Sequence, residues 1–192
     1  MAHSIKQHMI ELQKLQADLI GQKAKNMILV ETNISMGIMK NRIFLAGQDM
    51  KGAKIGDYSK KPMYYPMSKL GKGSLFTASE KATIPLSDRR KISKAQKGKK
   101  TFYAKQGYFQ IRELKGRQNA YKDYKFTGSL FASVRIYRSG NSVIIGIADK
   151  LNKNKREGNE KRDKKNVFGF SDNEYNGFID RINKGIDLII KT

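Results

Sequence analysis

Apolar residues near the C-terminal end of the chain recur at three- and four-residue steps, as Phe178, Ile179, Ile182, Ile186 and Ile189. That is the period of a helix with one buried face. Just before them, Ser171-Asp172-Asn173-Glu174 has the spacing of a capping box. In that motif the serine hydroxyl accepts the Glu174 amide and the glutamate side chain accepts the Ser171 amide. Phe170 and Tyr175 flank the cap as a hydrophobic staple would. A second helical pattern runs from Ser4, a candidate cap, to about residue 45, through Ile5, Met9, Leu12, Leu15 and Leu19. Ile20, Met27, Ile34, Ile38 and Met39 continue its stripe. Gly21 and Gly37 each cost ~1 kcal/mol relative to alanine, so a bend or break is expected near them.

Strand periodicity is clearest in two runs, Phe131–Tyr137 and Ser142–Ala148. Val134 and Ile136 share one face of the first. In the second, Val143, Ile145 and Ile147 alternate with Ile144 and Gly146. Arg138-Ser139-Gly140-Asn141 between them is turn chemistry, which predicts a β-hairpin over 131–148. A helix is expected from Gln106 to Gly116, and residues 149–166 read as a charged loop. Over 47–100 the pattern dissolves among Gly52, Gly56, Pro62, Pro66, Gly71, Gly73 and Pro85. Tyr58, Tyr64, Tyr65 and Phe76 argue against plain disorder there. The stretch is therefore expected to be an extended basic arm, ordered by neighbouring subunits, with a short helix near 87–97 capped by Ser87. The predicted architecture is α+β in one domain, 1–192. A small antiparallel sheet (101–192) is packed by the N-terminal helix (1–46) and the C-terminal helix, and the arm (47–100) is an insertion.

Net charge says more about partners than periodicity does. Thirty-nine Lys and Arg against seventeen Asp and Glu give a formal net charge of +22. Such an excess repels its own copies and attracts polyanions, nucleic acid foremost and acidic proteins next. The candidate contact residues form two clusters. One is Arg89, Arg90 and Lys91 with Lys94, Lys97, Lys99 and Lys100. The other is Lys150, Lys153, Lys155, Arg156, Lys161, Arg162, Lys164 and Lys165. Lysines on flexible stems suit sequence-independent phosphate contact. Phe102, Tyr103, Tyr108 and Tyr121 are better suited to packing than to stacking on bases, and base-specific reading has no signature.

Other chemistry finds little support. The chain has no cysteine, which excludes disulfides and thiolate sites and fits a reducing compartment. His3 and His8 would lie about 140° apart on a helix and could not share a metal. Gly71-Lys72-Gly73-Ser74 lacks the loop length and preceding strand of a phosphate-binding loop. No carboxylate cluster suggests a metal-dependent nuclease. No apolar run reaches the ~18 residues of a membrane span, and Met1-Ala2-His3-Ser4 does not open like a secretion signal. The expectation is a non-enzymatic protein without cofactor, metal or membrane contact.

The order of short motifs carries a resemblance. Gly107-Tyr108, Arg112 and Gly116-Arg117 are followed by Phe126-Thr127-Gly128-Ser129-Leu130 and Ser133-Val134. A strand ending at Gly146, Arg162-Asp163 and Phe168–Ser171 then lead into the last helix. Over 107–192 this resembles phage virion-morphogenesis proteins of the tail-completion and head–tail connector type, including neck-ring proteins of crAss-like phages. The chain differs from them in its basic insertion and in having Arg162-Asp163-Lys164-Lys165-Asn166-Val167-Phe168 before the final helix in place of a Pro-x-Arg-Pro-Phe segment. The resemblance gives Thr127 and Gly128 structural roles, beside those the capping box gives Ser171 and Glu174. It implies a cyclic ring of identical copies in the virion neck or tail, assembled in the host cytoplasm. The ring would abut portal or neighbouring neck proteins, with genomic DNA touching it nonspecifically. The alternative is a sequence-nonspecific nucleic-acid-binding protein, ribosome-associated or DNA-compacting.

Overall fold

Gly21, in extended backbone, separates a helical segment at residues 12–17 from the first long helix, α1 (Gln22–Phe44). The expected break therefore falls at Gly21, whereas Gly37 sits inside an unbroken helix. The computed structural model describes residues 9, 12–17, 21–66, 76–89, 101–125, 127–139 and 142–191. The expected cap Ser4, His3, His8 and the Gly71–Ser74 segment lie outside them. After α1 come β1 (Met63–Pro66), α2 (Ala78–Ala82), α3 (Leu86–Arg89), β2 (Thr101–Ala104) and α4 (Gly107–Leu114). The remaining elements are α5 (Ser129–Ser133), β3 (Val134–Ser139), β4 (Ser142–Ile147), α6 (Lys150–Asp163) and α7 (Asp172–Ile190). The α+β class holds, with two antiparallel two-stranded sheets, β1–β2 and β3–β4.

The chain divides into two compact units, Met1–Ala53 with Asp123–Thr192, and Lys54–Lys122. In the first, α1 packs along α7. Met27 lies against Gly185 so closely that a Cβ there would collide with it. Arg181 of α7 donates from Nε to Glu31 and from Nη2 to Ser35, both at 2.6 Å. The hairpin register pairs Val134 with Ile147 and Ile136 with Ile145, as the alternation predicts. Phe44 meets Phe131 and Phe168 edge-on at 5.2 and 5.9 Å.

Arg42 ties this unit together. Although charged, it is only 9% exposed. Its Nε donates to Glu174 Oε1 at 2.8 Å, and its Nη groups donate to the carbonyls of Gln48, Val167 and Gly169. The other Glu174 oxygen accepts the Ser171 amide at 2.7 Å, and Ser171 Oγ accepts the Glu174 amide at 3.2 Å. The predicted capping box is present, and its glutamate is also the counter-ion of a buried arginine.

The second unit corrects the extended-arm expectation. Residues 54–66 and 76–89 pack with 101–122 in a core of Ile55, Tyr58, Phe76, Ile84, Phe102 and Ile111. The aromatic residues supply the apolar area that the Gly/Pro-broken pattern concealed. Phe76 and Phe102 meet edge-on at 5.3 Å, and the Arg112 guanidinium lies 4.3 Å from the Tyr58 ring centre. Thr77 and Glu80 form a second capping box, and Lys115 pairs with Glu80 at 2.8 Å. That hydrogen bond from Lys115, with one from the Thr77 amide, lowers the Glu80 pKa. Gly107 adopts φ +58°, with the Ser59 and Lys61 carbonyls where a side chain would stand. The expected helix capped by Ser87 is instead α3, which starts after Pro85 and contains Ser87. The helix expected at 106–116 is α4.

Candidate polyanion-contact surface

The loop expected at 149–166 is a helix, α6, and the correction has a local cause. Asp149 caps it, accepting the Asn152 amide at 2.8 Å and the Asn152 side-chain amide at 2.7 Å. Those two bonds hold the Asp149 carboxyl below the ordinary carboxylate range. Lys164, at φ +53°, closes the other end in the left-handed conformation. Lys161 and Arg162 in the last turn face the negative end of the helix dipole. Leu151 is the only large apolar residue in the helix, so no stripe announced it.

The helix sorts its charges by face. Toward the unit, Asn152 is buried, and Glu160 Oε1 accepts the amides of Val167 and Phe168 at 2.8 and 2.9 Å. Asp163 accepts the Tyr124 hydroxyl at 2.8 Å. Burial of Tyr124, then that hydrogen bond, raise the pKa of its phenol. Outward, Lys150, Lys153, Lys155, Lys161, Arg162 and Lys164 are exposed. Lys155 donates to Ser129 Oγ and Asn152 Oδ1, and Arg162 contacts Asp163 and Asn159. Lys150, Lys153, Lys161 and Lys164 form no ion pair among the described residues, which leaves four cations for an external anion.

Two members of the second cluster are structural. Lys165 pairs with Asp49 at 3.0 Å. Burial opposes ionisation of Asp49, but the bonds from Lys165 and the Ala53 and Lys51 amides outweigh it and lower its pKa. Arg156 is held near Glu157 and Glu160, at 3.4 and 3.6 Å. In the first cluster, Arg89 donates to the Ile84 carbonyl at 2.7 Å and so fastens the turn between α2 and α3. Arg90, Lys91, Lys94, Lys97, Lys99 and Lys100 lie outside the described residues.

Gly128, at φ +79°, opens α5, so the run expected as strand from Phe131 begins as a helical turn and becomes β3 only at Val134. Thr127 Oγ1 accepts the Ser129 amide at 3.4 Å, and Ser129 Oγ reaches Asn152 at 3.3 Å. This joins the Thr-Gly-Ser turn to the buried side of α6.

A second surface went unseen in the sequence. On α1, Val30, Ile34, Ile38 and Leu45 are 54%, 44%, 41% and 54% exposed. At about 100° per residue Val30 lies roughly 180° and Ile34 roughly 140° from buried Met39, whereas Ile38 lies at the edge of the face, about 40° from Arg42. Asn26, Asn33, Gly37 and Asn41 fill the rest of that outward face, and the charged side chains beside it are at its borders, with Glu31 about 20° round the helix from Ile38 and paired with Arg181. Lys40 lies to one side, with Nζ 4.7 Å from the centre of the Phe131 ring. The signal for this face was the apolar content all round α1, which one buried stripe cannot absorb.

Among the described residues, no group of three or more His, Asp and Glu could hold a metal. None of their helices is long and apolar enough to cross a membrane. No family model, curated protein or solved structure matches the chain.

Proposed function

We propose that this chain is a non-enzymatic structural protein of a phage virion, which assembles with copies of itself into a ring in the head–tail connector, neck or tail-completion region and abuts the DNA channel. The observation that carries the reading is the uncharged, apolar outward face of α1 on a chain of net charge +22. Copies this basic repel one another over most of their surface, and they can meet closely only where cations are absent. The outward face of α1 meets that condition over about five helical turns. Val30, Ile34 and Ile38 are already about half covered in the single chain, so burying the remainder between copies is worth roughly 0.7–1.5 kcal/mol for each side chain.

The repulsion that remains needs a polyanion, and duplex DNA enclosed by the ring supplies one. The outward cations of α6 suit that contact, because lysines neutralise phosphates without reading bases. The motif order over 107–192 points to the same class of assembly. Negative-stain microscopy of the purified chain, alone and with duplex DNA, tests the reading, and closed rings are the expected result. Ile34→Lys should abolish them while leaving the melting temperature unchanged, because Ile34 is exposed in the single chain. Particles that remain monomeric under every condition would refute the proposal. Tight, salt-sensitive DNA binding by those monomers would favour a nucleic-acid-binding protein instead.

A further inference from the structure

A cavity of about 410 Å³ in the first unit is lined by all five residues from Val143 to Ile147. β3 contributes only Val134. Successive strand residues point to opposite faces of a sheet, so a cavity over one face would touch every second residue. A wall made of five consecutive residues means that the cavity runs along the outer edge of β4.

The backbone at that edge is open. Ala148 donates to the Ser133 carbonyl at 2.8 Å, so 133 and 148 form a hydrogen-bonded pair. Antiparallel pairs alternate, and in the observed register 135 with 146 and 137 with 144 are the next bonded pairs. The N–H and C=O groups of Val143, Ile145 and Ile147 therefore point away from β3. No described residue hydrogen-bonds to them. The opposite wall is Thr32 and Met39 of α1, Phe168 to Phe170 and Phe178, apolar except for the threonine. Arg156 also lines the cavity: its Nε has no hydrogen bond and stands 3.6 Å from Glu160 Oε2, its Nη2 reaches Glu157 Oε1 at 3.4 Å, and its Nη1 contacts no described carboxylate.

We propose that the open edge of β4 is a strand-docking site for an extended segment of a partner protein, with apolar side chains at alternate positions and a carboxylate facing Arg156. Main-chain bonds to Val143, Ile145 and Ile147 add a third strand to the hairpin, and alternate side chains of the guest fill the cavity. The groove fits in size, since its volume lies within the range of about 300–1,000 Å³ usual for binding clefts. Charge selects the guest. From a second copy, β3 would bring Arg135 and Arg138, and β4, itself uncharged, would bring that copy's own Arg156 to the shared edge. These would stand next to Arg156, so an acidic partner is favoured over self-pairing. β4 and the outward face of α1 are separate surfaces, so strand docking stands or falls apart from ring formation.

The test uses the full chain and a fluorescein-labelled peptide, Thr-Val-Thr-Val-Thr-Val-Glu, read by anisotropy and amide hydrogen exchange. Saturable binding is expected, with exchange slowed at least tenfold at the Val143, Ile145 and Ile147 amides. Arg156→Gln should weaken the Glu peptide about tenfold and leave the corresponding Gln peptide unchanged. Ile145→Pro removes an outward N–H that β3 does not use, so binding should be lost while the Ile144 and Gly146 amides stay protected. If that variant unfolds, an N-methylated peptide makes the same test and should not bind. Absent binding, or binding without protection at those three amides, overturns the proposal. Protection of the same amides in the free chain that disappears on dilution would show a second copy as the occupant, and that also overturns it.

Discussion

The double use of Glu174 makes a quantitative prediction. Ser171→Ala removes one side-chain acceptor from the start of α7 and should cost about 1 kcal/mol. Glu174→Ala removes the reciprocal cap bond and also strips Arg42 of its one carboxylate partner among the described residues. The side chains of Arg42 and Glu174 are 8% and 6% exposed, so water cannot take over. Breaking a buried pair by removing one partner costs about 3–5 kcal/mol. Glu174→Ala should therefore be at least about three times as damaging as Ser171→Ala, a ratio that a simple cap cannot produce. Urea unfolding followed by circular dichroism measures both, with amide exchange in α7 and the 166–170 segment confirming that the first unit is reporting. Arg42→Met combined with Glu174→Gln should recover much of the loss, because the buried charge is removed along with its partner. Equal costs for Ser171→Ala and Glu174→Ala would show that the Arg42 network carries no stability.

Gly128→Val forces a β-branched residue into a left-handed conformation at φ +79° and should destabilise the first unit by at least ~1–2 kcal/mol, seen as a lowered thermal midpoint. Gly128→Asn should be milder. The raised Tyr124 pKa sets the sign of an alkaline effect. The folded state keeps its proton above pH 10 while the unfolded chain loses it, so stability present below pH ~10 declines as pH rises further. Tyr124→Phe should remove that component in urea melts taken from pH 9 to 11. Replacing Lys150, Lys153, Lys161 and Lys164 with Gln should move melting little, because the loss of Lys161 at the negative end of the α6 dipole is countered by the loss of Lys150 at the positive end, and should flatten the salt dependence of DNA binding, by about 0.9 in log–log slope for each phosphate no longer neutralised. An unchanged slope would mean that this face does not touch DNA.

Parts of the fold with a strong local signal were legible. The Ser171 cap, the stripe on α7 and the alternation of Val143, Ile145 and Ile147 each specify their structure within a few residues. Elements held by distant partners were not. α6 has no apolar stripe, and its inner face is fixed by Asn152, Glu160 and Asp163 bonding to residues outside the helix or at its ends. The second unit is built on aromatic contacts, such as Tyr65 with Phe102, between segments that Gly and Pro make look structureless. Arg42 carries no local sign of burial, because nothing near it in the chain shows that Glu174 will reach it. The candidate site was legible as composition but not as geometry. The sequence showed many cations, whereas only the folded chain separates Lys165, Arg156 and Arg89, which are engaged internally, from the outward lysines of α6.

Ring formation through the outward face of α1 can be read by mass photometry of the full chain, titrated with short duplex DNA and compared with Ile34→Lys. A discrete multimer of the wild-type chain is expected, favoured by DNA and missing from the variant. A wild-type chain that stays at the mass of one copy, with or without DNA, would rule such a ring out.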